Sequence, residues 1–301
     1  MHLAANPVGP ALAPQTSDFE DTWSNRPLLK WYSQLDKWHS YLRFLGLPNL
    51  RDNPDVTMDT LYIPPAFAAG HISPDRPPKD WPATIELLPM LLKHQRLVLL
   101  GDPGSGKSAL ISWITTLCTS YNQEFNDRLH KPVPAPIILR DLSINTDITW
   151  DSLWAAFLAQ DKNLPLKGEL PASLLDSGQV IIMLDGLDEI GDLETRRALR
   201  DAVYDGMRRF PRCRWLLTSR IVGYDQLPFH LEADSQASCD ETPEAAMARP
   251  SGGSLAEVQY LAPFDNPRIE RFAHAWYHRH DLRNSESSTR AGALVQAISG
   301  C

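Results

Sequence analysis

From about residue 81 onward, short apolar runs alternate with stretches in which apolar residues recur at helical spacing. The apolar runs predict strands at 97–100, 137–139, 180–184, 215–218 and 258–261. The helical spacing predicts helices over 84–94, 107–120, 150–158, 193–210 and 267–280, with Thr149 as a cap for the third of them. Short apolar strands separated by helices are typical of a parallel sheet that is covered on both faces. The pattern therefore predicts an α/β fold.

The first 80 residues follow a different pattern. Residues 1–20 are rich in alanine and proline, and we expect a disordered tail there. Residues 21–80 are expected to form one helix, from Pro27 to about Leu45, followed by a proline-rich linker. The helix carries an apolar stripe that we call the aromatic stripe: Leu28, Trp31, Tyr32, Leu35, Trp38, Leu42 and Leu45. This stripe is either one buried face or a docking surface for a partner protein or a second copy of the chain.

A glycine-rich segment separates the strand at 97–100 from the helix that begins at Lys107. It reads G-x-x-x-x-G-K-S and consists of Gly101, Asp102, Pro103, Gly104, Ser105, Gly106, Lys107 and Ser108. The glycines let successive backbone N–H groups point at one phosphate, and the helix that follows adds its positive end. Lys107 can reach the β and γ phosphates, and the Ser108 hydroxyl suits Mg²⁺, which prefers oxygen ligands. The segment predicts a Mg²⁺-dependent nucleotide site.

Acidic residues follow the strand at 180–184, where an α/β sheet binds its ligands. Asp185 comes first after that strand, and we expect it to hold Mg²⁺ directly or through water. Asp188 or Glu189 could polarise the water that attacks the γ-phosphate, and Glu189 is the preferred choice. The next strand ends in Thr218-Ser219-Arg220. Arg220 either contacts the γ-phosphate or is an ordinary surface arginine.

Together these motifs resemble the NACHT family, in the STAND class of P-loop NTPases. In that family the metal-binding aspartate is followed by a small residue and then by two acids, which matches Asp185-Gly186-Leu187-Asp188-Glu189 here. The resemblance covers about residues 81–280. It implies a P-loop NTPase three-layer sandwich with a parallel sheet, which we place at 81–264 with a flexible acidic loop at 231–254. Residues 265–301 then resemble the start of a helical domain, and we expect that domain to be incomplete.

The resemblance also implies a function. Such proteins bind ATP and ADP with Mg²⁺ and act as nucleotide-dependent signalling switches in defence and innate immunity. We expect slow ATP hydrolysis, in which Lys107, Asp188, Glu189 and Arg220 take part. The alternative is a non-catalytic nucleotide-binding scaffold, or a truncated regulatory fragment, that binds partner proteins through the aromatic stripe.

Charge and composition exclude several classes of function and location. The chain has 29 basic and 37 acidic residues, a net charge of −8, so it lacks the basic surface that nucleic-acid binding needs. No apolar run is long enough to span a membrane, and the N-terminus does not have the pattern of a secretory signal. Four cysteines without a C-x-x-C pair predict neither a disulfide framework nor a zinc site. We therefore expect a cytoplasmic protein without nucleic-acid or membrane partners.

Overall fold

The fold is built on a seven-stranded sheet. A computed structural model describes residues 26–41, 56–73, 75–120, 122–159, 170, 172–228, 256–279, 289–290 and 292–293. Its strands are β1 (Phe67–Ala68), β2 (Thr84–Ile85), β3 (Arg96–Leu100), β4 (Val133–Ile138), β5 (Val180–Asp185), β6 (Arg214–Ser219) and β7 (Glu257–Leu261). They lie in the order β2-β1-β7-β3-β6-β5-β4.

Helices surround this sheet. They are α1 (Arg26–His39), α2 (Met58–Leu61), α3 (Leu87–Lys93), α4 (Lys107–Thr119), α5 (Gln123–Arg128), α6 (Trp150–Leu158), α7 (Ala172–Ser177), α8 (Leu193–Arg209), α9 (Ile221–Gln226) and α10 (Asn266–Arg279). Among the helices just named, none combines the length and the apolar character that crossing a bilayer requires.

The two faces of the sheet bury separate cores. On β3, Val98 and Leu100 pack with one large apolar cluster, whereas Leu97 and Leu99 pack with a second cluster on the opposite face. Successive side chains of a strand point to opposite faces, so a fully apolar strand requires cover on both sides. The predicted three-layer α/β architecture of a P-loop NTPase is confirmed.

The sheet is not parallel throughout, which corrects the expectation. Strands β7, β3, β6, β5 and β4 run parallel to their neighbours, but β1 pairs antiparallel with both β2 and β7. The sheet therefore begins at Phe67, before the predicted domain boundary at residue 81. Strands of two residues are too short to show an alternating pattern, so the sequence did not predict β1 or β2.

The predicted elements agree with the structure except at their ends. Strand β4 is longer than the predicted 137–139 and contains Pro134 and Pro136. Proline lacks the N–H that a central strand must donate, and β4 accommodates it because this strand lies at the edge of the sheet. The helix predicted from residue 84 begins instead at Leu87, after β2. Thr149 caps α6 as predicted, in a reciprocal capping box with Ser152.

The aromatic stripe of α1 is a packing face. Trp31 and Leu35 are fully buried in the larger core, where the Trp31 ring meets Phe157 edge-on at a centroid distance of 5.8 Å. The Trp31 indole N–H donates to the Pro134 carbonyl over 2.8 Å. The docking-surface alternative is therefore wrong for the two buried members, Trp31 and Leu35. The stretch that was predicted to be separate, 21–80, contains a helix that is part of the core.

Three expectations fall on other parts of the chain. The tail at 1–20, the end of the first helix at 42–45 and the acidic loop at 231–254 all lie outside the residues that the structure describes.

Candidate functional site

The carboxyl ends of β3, β5 and β6 meet at one edge of the sheet. Leu100, the last residue of β3, lies opposite Ser219, the last residue of β6. The chain beyond β3 stays close to this neighbour, because the Gly101 N–H donates to the Ser219 carbonyl over 3.3 Å. On the other side of β6, Leu184 of β5 lies opposite Leu217. The glycine-rich loop, the turn Leu187–Glu189 (which we call the acidic turn) and the segment Thr218-Ser219-Arg220 are therefore neighbours.

The glycine-rich loop needs its glycines for two different reasons. Gly104 and Gly106 have φ angles of +79° and +88°, a left-handed conformation that other residues rarely adopt. A Cβ atom at either of them would meet nothing within 4 Å, so both glycines border open space. Gly101 is tightly packed instead, since a Cβ there would lie 2.5 Å from Ser105 Oγ. The loop thus exposes its backbone at the position where a phosphate would lie, beside the N-terminus of α4.

The side chain of Lys107 lies along this loop. Its Nζ donates to the carbonyls of Gly101 and Asp102 over 2.7 and 2.9 Å, and to Ser105 Oγ over 3.3 Å. Lysine is a flexible point charge with three donors, so the same ammonium can exchange these carbonyls for phosphate oxygens.

Burial and neighbouring charges both change the pKa of Lys107. Its partial burial lowers its pKa below the usual value, because desolvation disfavours the charged form. The carboxylates of Asp188 and Asp185 oppose that change, and Arg220 adds to it. The pairing of β3, β6 and β5 places the segments that carry Lys107, Arg220 and the two aspartates at the same edge of the sheet.

Asp185 is the last residue of β5 and is only 4% exposed. Thr218 of β6 donates its hydroxyl to Asp185 Oδ1 over 2.6 Å, and it accepts the Gly186 N–H over 3.0 Å. Asp185 was predicted to follow the strand, but it is part of it, and this pairing fixes the direction of its carboxylate. Ser108 is exposed in the first turn of α4.

This donor set fits Mg²⁺ bound together with a nucleotide. Within the described ranges, no group of three or more His, Cys, Asp or Glu side chains could hold a metal ion on its own. Mg²⁺ is normally bound through one or two protein oxygens together with substrate phosphates and waters. One hydroxyl and one oriented carboxylate beside a phosphate loop, from Ser108 and Asp185, match that requirement.

Asp188 is fully engaged by Arg220. The backbone N–H of Arg220 donates to Asp188 Oδ1 over 2.8 Å, and its Nε lies 3.1 Å from Oδ2. The Asp188 side chain is only 8% exposed. Helix α9 packs directly against Asp188, since a Cβ on Gly223 would lie 2.3 Å from the Asp188 Cβ. Both carboxylate oxygens of Asp188 therefore contact Arg220, and the side chain is largely shielded from water.

Glu189 is more accessible than Asp188, with a side chain that is 31% exposed. Its Oε2 lies 3.7 Å from Nη1 of Arg140, which follows β4. Of the two acids in this turn, Glu189 is the one that water can reach. Glu189 is therefore the more accessible acid of the turn, and its role in orienting a water molecule stays a prediction.

Sequence reasoning missed two residues beside the site. One is Arg140, whose signal was its position just after a predicted strand that turns out to neighbour the strand of Asp185. The other is His71, whose Nε2 lies 3.1 Å from Oδ2 of Asp102 in the glycine-rich loop. His71 comes from the segment that was predicted to be a linker, and no pattern in that segment indicated a contact with the loop.

Comparison with known proteins adds one finding. The family model of the NACHT domain matches residues 95–278, which is more than half of the chain. The matched segment begins just before β3 and ends in α10, so it includes the glycine-rich loop, the acidic turn and Arg220. A separate search of curated proteins found no match.

Proposed function

Because the chain belongs to the NACHT family and is therefore a nucleotide-binding NTPase, we propose that it hydrolyses ATP slowly with Mg²⁺ and acts as a nucleotide-dependent signalling switch. The observation that supports this proposal is that the glycine-rich loop, Asp185 and the acidic turn follow neighbouring strands and lie at one edge of the sheet. A role in defence or innate-immunity signalling, in the cytoplasm, rests on the family resemblance alone.

The glycine-rich loop binds the phosphates of ATP. Its backbone N–H groups and the N-terminus of α4 supply the donors, and Gly104 and Gly106 keep the loop free of side chains. Lys107 exchanges its loop carbonyls for the β and γ phosphates. Ser108 and Asp185 would hold Mg²⁺, which would neutralise charge that builds up on the phosphate oxygens.

The acidic turn and Arg220 serve hydrolysis. Glu189 orients the attacking water and accepts its proton, because it is the accessible acid of the turn. Asp188 holds the guanidinium of Arg220 beside the site, and Arg220 contacts the γ-phosphate and responds to its loss. Turnover is slow, because a regulatory switch gains nothing from speed.

The domain organisation is part of the proposal. We place the NTPase domain up to residue 264 and a separate helical segment after it, which begins with α10. Arg268 of α10 is buried and donates to the Pro64 carbonyl over 3.1 Å and to Asp265 Oδ2 over 2.7 Å. It also contacts Glu86, at the start of α3. The contacts with Pro64 and Glu86 hold the helical segment against the sheet domain.

The scaffold alternative would bind nucleotide without hydrolysing it. Its proposed docking surface, the aromatic stripe, has its central residues Trp31 and Leu35 in the core. The catalytic proposal therefore takes precedence.

Single-turnover ATP hydrolysis and nucleotide affinity, measured on four proteins, test the proposal. Lys107→Ala should lose affinity for ATP and ADP. Glu189→Gln should keep that affinity and hydrolyse ATP more slowly by a factor of about 100 or more, as expected for loss of a general base. Glu124→Gln, an exposed acid on α5 outside the site, is the matched control and should behave like the wild type.

Three outcomes would change the proposal. Tight nucleotide binding by the wild type without any hydrolysis would favour the scaffold. No affinity for adenine nucleotides with Mg²⁺ would refute the ATP site. Equal mass of the protein with ADP and with a non-hydrolysable ATP analogue would argue against a switch that works by assembly of this chain.

A further inference from the structure

Two arginines flank the acidic turn, one from each neighbouring strand. Strand β5 lies between β4 and β6, and an arginine follows each of those two strands at the same edge of the sheet. Arg220, after β6, engages Asp188. Arg140, after β4, faces Glu189. Each carboxylate of the turn thus has an arginine of its own.

We propose that Arg140 is a positioning residue for ATP hydrolysis, which orients the carboxylate of Glu189 toward the attacking water. This inference rests on the proposed function, in which Glu189 orients that water. Nothing in the sequence motifs assigns Arg140 a role, because it lies outside all of them.

The backbone that carries Arg140 is held firmly beside the acidic turn. Ile138 pairs directly with Asp185 across the two strands, so the chain leaves β4 level with the end of β5. The next residue, Leu139, is completely buried and anchors the short 3₁₀ turn of Leu139–Asp141. Arg140 is therefore presented from a rigid element, and its guanidinium lies 3.7 Å from Glu189 Oε2.

Glu189 is confined on its other side by Gly186. A Cβ on Gly186 would lie 3.0 Å from Cδ and 3.1 Å from Oε2 of Glu189, so the carboxyl group lies against this glycine. The carboxylate is held between the Gly186 backbone and the Arg140 charge. A general base must be aligned with its proton before it can work, so removal of the charge on one side should misalign it.

The ion pair between Arg140 and Glu189 is too exposed to contribute much to the stability of the fold. The Arg140 side chain is 50% exposed, and an ion pair at 3.7 Å with such exposure contributes little to folding. Loss of Arg140 should therefore appear in the rate of the chemical step and leave the fold and the binding of nucleotide intact. If Arg140 instead contacted the γ-phosphate itself, its loss would weaken ATP binding relative to ADP binding.

The experiment compares Arg140→Gln, Arg140→Lys and a control in the single-turnover assay, with ADP and ATP affinities measured in parallel. The control is Arg209→Gln on α8, because Arg209 has a similar exposure of 43% and an ion pair with Asp151 at 2.8 Å away from the site. We expect Arg140→Gln to hydrolyse ATP about 10- to 100-fold more slowly with both affinities unchanged. Arg140→Lys should recover part of the rate, and Arg209→Gln should match the wild type.

Four results would overturn the inference. They are a rate for Arg140→Gln that equals the wild type, a faster rate, a selective loss of ATP affinity, and an Arg140→Lys variant as slow as Arg140→Gln. The proposed function fails separately, if the wild type does not hydrolyse ATP or if Glu189→Gln hydrolyses it normally. Slow Glu189→Gln together with normal Arg140→Gln would refute the role of Arg140 alone.

Discussion

Replacement of Thr218 by valine tests how β6 orients the carboxylate of Asp185, the proposed Mg²⁺ ligand. Thr218 is completely buried, and its hydroxyl both donates to Asp185 Oδ1 over 2.6 Å and accepts from the Gly186 N–H over 3.0 Å. Valine has nearly the same shape but no hydroxyl. The substitution therefore removes two hydrogen bonds without creating a cavity, and it leaves a buried carboxylate oxygen and a buried N–H without their partner.

The expected cost follows from these two bonds. A hydrogen bond to a charged group contributes about 1.5–3 kcal/mol, and an N–H left unsatisfied in the interior costs about 1–3 kcal/mol. Asp185 is 4% exposed, so water can replace little of what is lost. We expect Thr218→Val to lower the free energy of unfolding by about 3 kcal/mol, a large part of the 5–15 kcal/mol that is typical of a domain. The Mg²⁺ concentration needed for nucleotide binding should rise, because the carboxylate is no longer oriented.

Urea denaturation and a Mg²⁺ titration of ATP-analogue binding check this prediction. Thr218→Ser is the matched control, since it keeps the hydroxyl and loses one methyl group, at a cost of about 1 kcal/mol. The serine variant should retain the Mg²⁺ dependence of the wild type. A valine variant that is as stable as the serine variant, with the same Mg²⁺ requirement, would refute the argument that this hydroxyl orients Asp185.

Two further predictions test the packing around the site. Trp31→Ala should lower the free energy of unfolding in urea by about 3–5 kcal/mol because its ring is fully buried, whereas Leu29→Ala, on the exposed side of the same helix, should change it by at most about 0.5 kcal/mol. Equal midpoints for these two variants would mean that α1 is not part of the core. Gly223→Ala should cost about 1–3 kcal/mol and slow ATP hydrolysis, because its Cβ must push against Asp188, 2.3 Å away. Gly191→Ala, where a Cβ meets nothing within 4 Å, should do neither in the same assays, and identical behaviour of the two glycine variants would show that α9 can move aside.

The parts of the site that the sequence predicted are the contiguous ones. The glycine-rich loop carries its own backbone conformation, in the left-handed φ angles of Gly104 and Gly106, and the apolar strand before it and the helix after it are both found. The acidic turn likewise follows a strand that the sequence identified. The assignment of Mg²⁺ to Ser108 and Asp185, and of water to Glu189, stays a prediction until the assays are done.

The pairings between distant segments were not predictable. Trp31 donates to a carbonyl 103 residues away, and Arg268 to one 204 residues away. His71 lies in a loop and Arg140 in a short 3₁₀ turn, and neither segment has a motif of its own. Each of these contacts depends on which strands become neighbours. No short pattern of residues predicts the order β7-β3-β6-β5-β4.

By itself, the sequence determined the α/β class, the glycine-rich loop between a strand and a helix, and the family resemblance, because each depends on residue types within a few positions of one another. Only the tertiary structure decided that α1 belongs to the core, that β1 and β2 extend the sheet antiparallel, and that Asp188 and Glu189 have different partners. The physical reason is that a side chain's burial and charge environment come from whatever packs against it. In this chain the groups that pack against the site arrive from strands and helices far away in the sequence.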